Sequence, residues 1–141
     1  MNEPAIETRS VIVERDFAAP PEKLWRALTQ PHLIEEWLMK NDFKPDVGHR
    51  FNLRNNPQPD VNIVIDCQVL AVELHKTLSY TWEAMGFEGV VTFTLTPTST
   101  GTHLRMEQAG FRPGQGQAYA GARNGWERFL SNLDQLLARP D

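Results

Sequence analysis

Hydrophobic residues recur at every second position through most of this chain, which is the pattern of β-strands with one buried face. The first such segment is "SVIVERDF" (10–17), whose apolar phase holds Val11, Val13, Arg15 and Phe17. After Val69 the apolar residues change phase to Leu70, Val72 and Leu74, which predicts a β-bulge that bends the sheet. The other alternating segments are "RFNLR" (50–54), "VNIVIDCQV" (61–69), "TLSYTWE" (77–83), "VVTFTLT" (90–96) and "THLRMEQ" (102–108).

Helical spacing appears in two places. In "APPEKLWRALTQPHLIEEWL" (19–38), Pro31 interrupts the apolar pattern, so the sequence predicts two short helices. A longer helix is predicted from near Gln117 to about Ala138. Its apolar stripe consists of Trp126, Phe129, Leu130, Leu133, Leu136 and Leu137.

Clean alternation is typical of an antiparallel sheet with one solvated face and one dry face, and the dry face must be covered. The C-terminal helix is the only predicted element long enough to cover it. The 141 residues suit one domain, spanning 1–141. The sequence therefore predicts an α+β domain in which a bent antiparallel sheet grips one long helix, with two short helices between strands one and two. The loop "NNPQPD" (55–60) separates two of the strands.

Net charge and composition limit the classes of binding partner that are expected. The net charge of −4 and the scattering of the 14 basic residues argue against nucleic acid and against an anionic membrane surface. The single cysteine, Cys67, excludes an internal disulfide and is interpreted as a buried small hydrophobe. The N-terminus "MNEPAIETRS" lacks the features of a secretory signal, and no apolar run is long enough to span a bilayer. A cytoplasmic protein is expected, as a monomer or a homodimer.

Catalytic and metal-binding patterns are missing from the sequence. The four histidines are far apart and form neither an HxH nor an HExxH pattern, so no metal or other cofactor is expected. No GxSxG motif is present, and nothing in the sequence places two carboxylates together inside the sheet, so acid–base catalysis has no support in the sequence. The glycine-containing segment "PGQGQAYAG" (113–121) is interpreted as a flexible lead into the last helix, with a gate over a pocket as the alternative.

The aromatic residues of the dry face raise a question that residue types do not settle. If the long helix leaves space above the sheet, these side chains line a small-molecule pocket; otherwise they fill a core. The candidate ligand-binding residues are Trp37, Phe51, Ile65, Tyr80, Trp82, Phe93, Met106, Gln108, Trp126, Phe129, Leu130 and Leu133.

Three polar groups share the phase of the dry face. Gln108 would orient a ligand or bond to nearby backbone, because an unpaired buried amide costs about 1–3 kcal/mol. The Tyr80 hydroxyl would reach a polar ligand atom or a local partner. Arg15 is expected to extend to the rim of the sheet, with contact to a ligand carboxylate as the alternative.

Several short motifs, in this order, resemble the START-like, helix-grip domains of the SRPBCC superfamily. Within that superfamily they resemble the AHSA-like branch, named after the activator of the heat-shock protein Hsp90's ATPase. The resemblance covers nearly the whole chain, each motif being weak alone and the set being specific. The motifs are "FAAPPEKLWRALTQPHLIEEW" (17–37), "DVGHRF" (46–51), "LSYTWE" (78–83), "VTFTLTPTSTGTHLRM" (91–106), "GF" (110–111) and "GW" (125–126).

This resemblance implies a curved sheet and a long C-terminal helix that enclose a deep cavity for lipids, sterols or polyketide-like molecules. The first functional hypothesis is therefore binding of a small, mainly hydrophobic ligand, without catalysis. The second is a protein-interaction role in which a chaperone ATPase, and so a stress response, is modulated. The third is an aromatase- or cyclase-like enzyme acting through Tyr80, Gln108 or Arg15.

Overall fold

The computed structural model describes residues 8–55 and 59–140. Its centre is a seven-stranded curved sheet, antiparallel throughout, with the strand order β1-β7-β6-β5-β4-β3-β2. This confirms the predicted fold class. The strands are β1 (Arg9–Phe17), β2 (Lys40–Asn41), β3 (Arg50–Arg54), β4 (Val64–Glu73), β5 (Thr77–Ala84), β6 (Phe87–Pro97) and β7 (Thr102–Phe111). The sequence analysis did not predict β2, because two residues are too short to show an alternation.

Two short helices follow β1, as the sequence predicted. They are α1 (Pro21–Thr29) and α2 (Pro31–Trp37), and each begins with a proline in its first turn. Proline suits that position because the missing N–H would have no partner inside the helix. The indole N–H of Trp37 donates a hydrogen bond to the carbonyl oxygen of Ala27 at 2.8 Å, which fixes α2 against α1.

The long helix α3 (Gly116–Leu137) covers the inner face of the sheet. Its residues Leu130 and Leu133 are fully buried. Burial of each such side chain contributes about 1.5–3 kcal/mol to stability before conformational entropy is subtracted. At the β1 edge, the Arg15 guanidinium donates to Ser131 Oγ at 3.1 Å and pairs with Asp134 at 3.3 Å. Arg15 therefore reaches the helix rather than a ligand carboxylate.

The predicted bulge is present in β4. Val69 pairs with Tyr80 and Ala71 pairs with Ser79, so Leu70 is the extra residue without a partner on β5. Two of the three apolar residues of the new phase are exposed. Leu70 is 44% exposed because it follows the inward-facing Val69 in the alternation of β4, and Leu74 is 65% exposed because it lies in the turn after β4.

The start of β4 also differs from the prediction. The strand begins at Val64 rather than at residue 61, and Val61 is 41% exposed. The segment before it is held by Asn55, whose Oδ1 accepts a hydrogen bond from the Ile63 N–H at 2.8 Å. Of the predicted loop 55–60, residues 56–58 lie outside the described residues, and Pro59 and Asp60 form a turn.

Candidate ligand-binding site

A cavity of about 320 Å³ opens between the inner face of the sheet and the N-terminal part of α3. Its volume is about twice that of an apolar protein cavity that accommodates benzene, so it suits a molecule of one or two rings. The sheet side consists of residues from four strands and the adjoining loops. They are Ile65 of β4, Trp82 and Ala84 of β5, Phe87 of β6, Gln108 and Phe111 of β7, and the loop residues Met39, Ile63 and Met85.

The helix side of the cavity exists because α3 carries small residues where it passes over this end of the sheet. Ala118, Gly121, Ala122 and Gly125 recur at intervals of three and four, so they share one helical face. A Cβ atom built on Gly121 would meet nothing within 4 Å. Larger side chains at these positions would occupy the space that the cavity now offers.

Aromatic rings form the deep wall. The Trp82 and Trp126 ring centroids are 5.4 Å apart, and Phe129 packs edge-on against Trp126 at 5.6 Å. On the opposite side, the rings of Phe87 and Phe111 lie 4.4 Å apart. Such a surface favours a flat apolar ligand, which can stack on these rings.

One hydrogen bond supports this wall. The Trp126 indole N–H donates to Oε1 of Gln108 at 2.7 Å, and both residues are buried. An indole nitrogen only donates, so the amide oxygen of Gln108 must be the atom that faces Trp126. The amide is therefore oriented by the helix and the sheet together.

The pocket wall is uncharged. Among its described residues none carries a formal charge, and Gln108 supplies the polar side-chain group besides the two indoles. An ionised ligand group placed deep in this site would lose its hydration without gaining a counter-ion, which is costly. The site therefore favours neutral ligands.

A side-chain bridge joins two segments at the mouth of the pocket. Met85, which is 86% exposed, and Gly86 form the turn between β5 and β6, both with positive φ. Gln115 Nε2 donates to the Gly86 carbonyl oxygen at 3.3 Å, while its Oε1 accepts from the Arg112 N–H at 2.8 Å. The predicted flexible segment 113–121 is thus tethered at Gln115 and becomes the first turns of α3 from Gly116. Its role as a gate stays a prediction.

The structure divides the twelve candidate residues into two groups. Ile65, Trp82, Gln108, Trp126 and Phe129 line the cavity. The other seven do not line it and belong to the filled core. These are Trp37, Phe51, Tyr80, Phe93, Met106, Leu130 and Leu133. A ligand-binding role for the first five stays a prediction.

Sequence reasoning missed the small residues of α3 and the residues at the mouth. The signal was present in the spacing of Ala118, Gly121, Ala122 and Gly125, which continues the stripe of Trp126 and Phe129 towards the N-terminus. Met39, Ala84, Met85 and Phe87 gave no such signal, since only the tertiary fold brings their segments together.

Of the groups considered for catalysis, Gln108 lines the cavity, whereas Tyr80 and Arg15 do not. The Tyr80 ring packs against Phe51 at 5.1 Å, and burial raises the pKa of Tyr80 well above its usual value. Burial also raises the pKa of Cys67 to about 12, so its thiol is not a nucleophile near neutral pH. Within residues 8–55 and 59–140, no three His, Cys, Asp or Glu side chains are grouped to hold a metal ion.

Polar side chains form several contacts on the outer face of the sheet. Ser79 and Thr92 share a hydrogen bond at 3.1 Å, and Arg105 pairs with Glu107 at 3.2 Å. His103 lies between Asp16 Oδ1, at 2.7 Å, and Glu14 Oε1, at 3.1 Å. These contacts are typical of a solvated surface.

Residues 18–138 match the family model described as "Activator of Hsp90 ATPase homolog 1-like protein". The chain belongs to this family. The match covers all three helices and, apart from β1, every strand, so the resemblance identified in the sequence is confirmed. No curated protein matches the chain. In the described part of the chain, no helix combines the length and apolarity needed to cross a bilayer.

Solved structures with the same fold include one from a close relative. The chain is 65% identical to protein MLL2253 from Mesorhizobium loti, with a TM-score of 0.86, and the alignment covers 94% of this chain and 99% of that one. CalU16 from Micromonospora echinospora is 25% identical, with a TM-score of 0.78 and coverage of 93% and 77%. DynU16, a protein of the dynemicin biosynthetic locus, is also 25% identical, with a TM-score of 0.78 and coverage of 91% and 46%.

Proposed function

We propose that this domain binds a small, mainly apolar molecule in the cavity under α3. The observation that carries the proposal is the cavity itself, an aromatic-walled space of about 320 Å³ with one oriented amide in its lining. Concave, mainly apolar sites with a few placed polar groups are the usual form of small-molecule sites. The DynU16 match supports the same reading, since that relative comes from a biosynthetic locus.

Cavity size favours one part of the expected ligand range. A space for one or two rings fits an aromatic, polyketide-like fragment better than a four-ring sterol or a long acyl chain. The walls favour the same choice, because Trp82, Trp126 and Phe129 present ring surfaces on which a planar ligand stacks.

A binding screen on the wild-type protein tests the proposal. Two-ring aromatic compounds, sterols and fatty acids are compared by thermal shift, and compounds that shift Tm are titrated by calorimetry. We expect the two-ring compounds to raise Tm, because a ligand that binds only the folded state stabilises it. The absence of any shift across the panel would overturn the proposal.

A variant that fills the cavity locates the binding. Gly121→Phe places a ring in the open space above Gly121, and Gly121→Ala makes the same backbone change without filling it. We expect Gly121→Phe to abolish binding and Gly121→Ala to retain it. Retained affinity in a folded Gly121→Phe protein would show that the compounds bind elsewhere.

A further inference from the structure

Gln108 has a donor that its contacts leave available. Its Oε1 is occupied by the Trp126 indole N–H at 2.7 Å, which directs the amide NH₂ away from Trp126. Gln108 is only 4% exposed, and Nε2 has no hydrogen-bond partner among the described residues. Among the described residues, every fully buried polar side-chain atom has a hydrogen-bond partner, so the unpartnered Nε2 is not fully buried. Because Gln108 lines the cavity, we infer that the accessible surface of Nε2 faces it.

The sheet holds this donor in place. Gln108 pairs with Val11 on one side and with Val91 on the other, in the middle of three adjacent strands. Its backbone therefore cannot shift to satisfy the amide, and Trp126 fixes the side chain from above. Such a donor is preorganised, so a ligand that accepts from it does not have to order it first.

Trp82 adds a second donor to the same lining. Its indole N–H has no partner among the described residues, and its ring lies 5.4 Å from that of Trp126. The described pocket wall thus offers N–H donors on aromatic and amide groups, while its one side-chain carbonyl oxygen, that of Gln108, is already occupied. A ligand suited to it carries an acceptor and no formal charge, because the wall has no cation to balance a carboxylate.

We propose that the cavity selects a neutral, one- or two-ring ligand through a carbonyl-type oxygen that accepts a hydrogen bond from Gln108 Nε2. This inference rests on the proposed function and adds the polar chemistry of the ligand. The rings of the ligand stack on Trp82, Trp126 and Phe129, and the end away from the oxygen faces the mouth at Met85.

Three two-ring probes separate the features of the ligand. Tetralone carries a ketone, tetralin is the matching hydrocarbon, and naphthoate carries a carboxylate. Calorimetric titration should show tetralone binding about three- to tenfold more tightly than tetralin, the usual net effect of one neutral hydrogen bond. Naphthoate should bind more weakly than tetralone at pH 7.

A nitrogen–proton correlation spectrum reports the contact directly. Tetralone should move the Gln108 side-chain NH₂ signals, identified by their absence from a Gln108→Met protein, and tetralin should leave their hydrogen-bond shift unchanged. Both compounds should move the Trp82 and Trp126 indole signals, because both stack on those rings.

A double variant and a matched single variant test the role of Gln108. In Gln108→Met/Trp126→Phe both partners of the 2.7 Å bond are removed together, so neither is left buried without the other. The single variant Trp126→Phe keeps the Gln108 amide and is the matched control. The preference for tetralone should persist in the control and disappear in the double variant.

The outcomes distinguish this inference from the proposed function. Equal affinity for tetralone and tetralin, a Gln108 signal that tetralone does not move, or tighter binding of naphthoate overturns the inference and leaves ligand binding intact. If none of the three probes nor any compound of the wider panel binds, the proposed function fails and the inference fails with it.

Discussion

The indole N–H of Trp126, in the long helix, donates a 2.7 Å hydrogen bond to the side-chain oxygen of Gln108 in the sheet. Both residues are buried, at 2% and 4% exposure, so the bond lies in the dry interior rather than at the rim. It attaches α3 to β7 at the boundary between the filled half of the core and the cavity.

The Trp126–Gln108 bond should be visible as coupling between the two residues. Trp126→Phe and Gln108→Met each leave one buried polar group unpaired, at a cost of about 2–4 kcal/mol including lost packing. The double variant removes both groups, so its cost should fall short of the sum by about 1–2 kcal/mol. Urea unfolding of the four proteins measures the difference. Strict additivity would mean that the bond adds nothing to stability.

Two glycines should respond in opposite ways to the same substitution. A Cβ on Gly89 would overlap the Ala109 carbonyl oxygen and lie 2.5 Å from the Phe87 ring, so Gly89→Ala should destabilise the fold by about 2–3 kcal/mol. A Cβ on Gly121 meets open space inside a helix, so Gly121→Ala should stabilise it by up to about 1 kcal/mol. Chemical denaturation compares the two, and a neutral Gly89→Ala would contradict the packing described for β6.

Stability should depend on pH through His103. Hydrogen bonds to Glu14 and to Asp16 raise the pKa of His103 above its ordinary value of about 6.5. Because the pKa of His103 is higher in the folded state than in the unfolded state, its stabilising contribution is fully present below the unfolded-state pKa. That contribution is lost as the pH rises through the folded-state pKa.

His103→Gln should therefore destabilise the protein most between about pH 5 and 6, and little at about pH 9. Melting temperatures of wild type and variant across this range give the comparison, with His32→Gln at an exposed position as the control. A difference that grows towards alkaline pH would contradict the assignment.

Cys67 should resist alkylation in the folded protein. Burial and the nearby carboxylates of Asp66, Glu83 and Asp42 raise the pKa of Cys67 to about 12, so at pH 8 only about one thiol in ten thousand is the reactive thiolate. Maleimide labelling followed by mass spectrometry should be slow in buffer and rapid in guanidinium chloride. Ala120→Cys, on the exposed side of α3, supplies a thiol that reacts at once. Fast labelling of native wild type would show that β4 opens readily.

The alternation of the strands was sufficient to predict their buried faces. Val91, Phe93 and Leu95 are buried as expected, since a period of two fixes which side chains share a face. The bulge after Val69 was also predictable, because a change of phase leaves a trace in the sequence. The exposure of Leu70 was not, because the pattern does not say which residue of a bulge is left without a partner.

The candidate site was predictable only in part. Trp126 and Gln108 were named from their phases, yet the hydrogen bond between them depends on how α3 is rotated above β7. Tyr80 and Phe93 are aromatic and face inward like Trp82, but they fill the core. A local pattern predicts which face of the sheet a residue occupies, but it does not predict what lies opposite that residue. The sequence therefore assigned too many core residues to the pocket.

The sequence by itself determined the helices and the longer strands, their buried faces and the need for a long helix over the sheet, because these follow from the periods of apolar residues along one chain. Tertiary structure alone decided where that helix leaves space. Leu130 and Leu133 close one half of the inner face, while Ala118, Gly121 and Ala122 leave the other half open. Whether space remains depends on the combined volumes of side chains from elements that are distant in the chain, and a local sequence pattern does not contain that information.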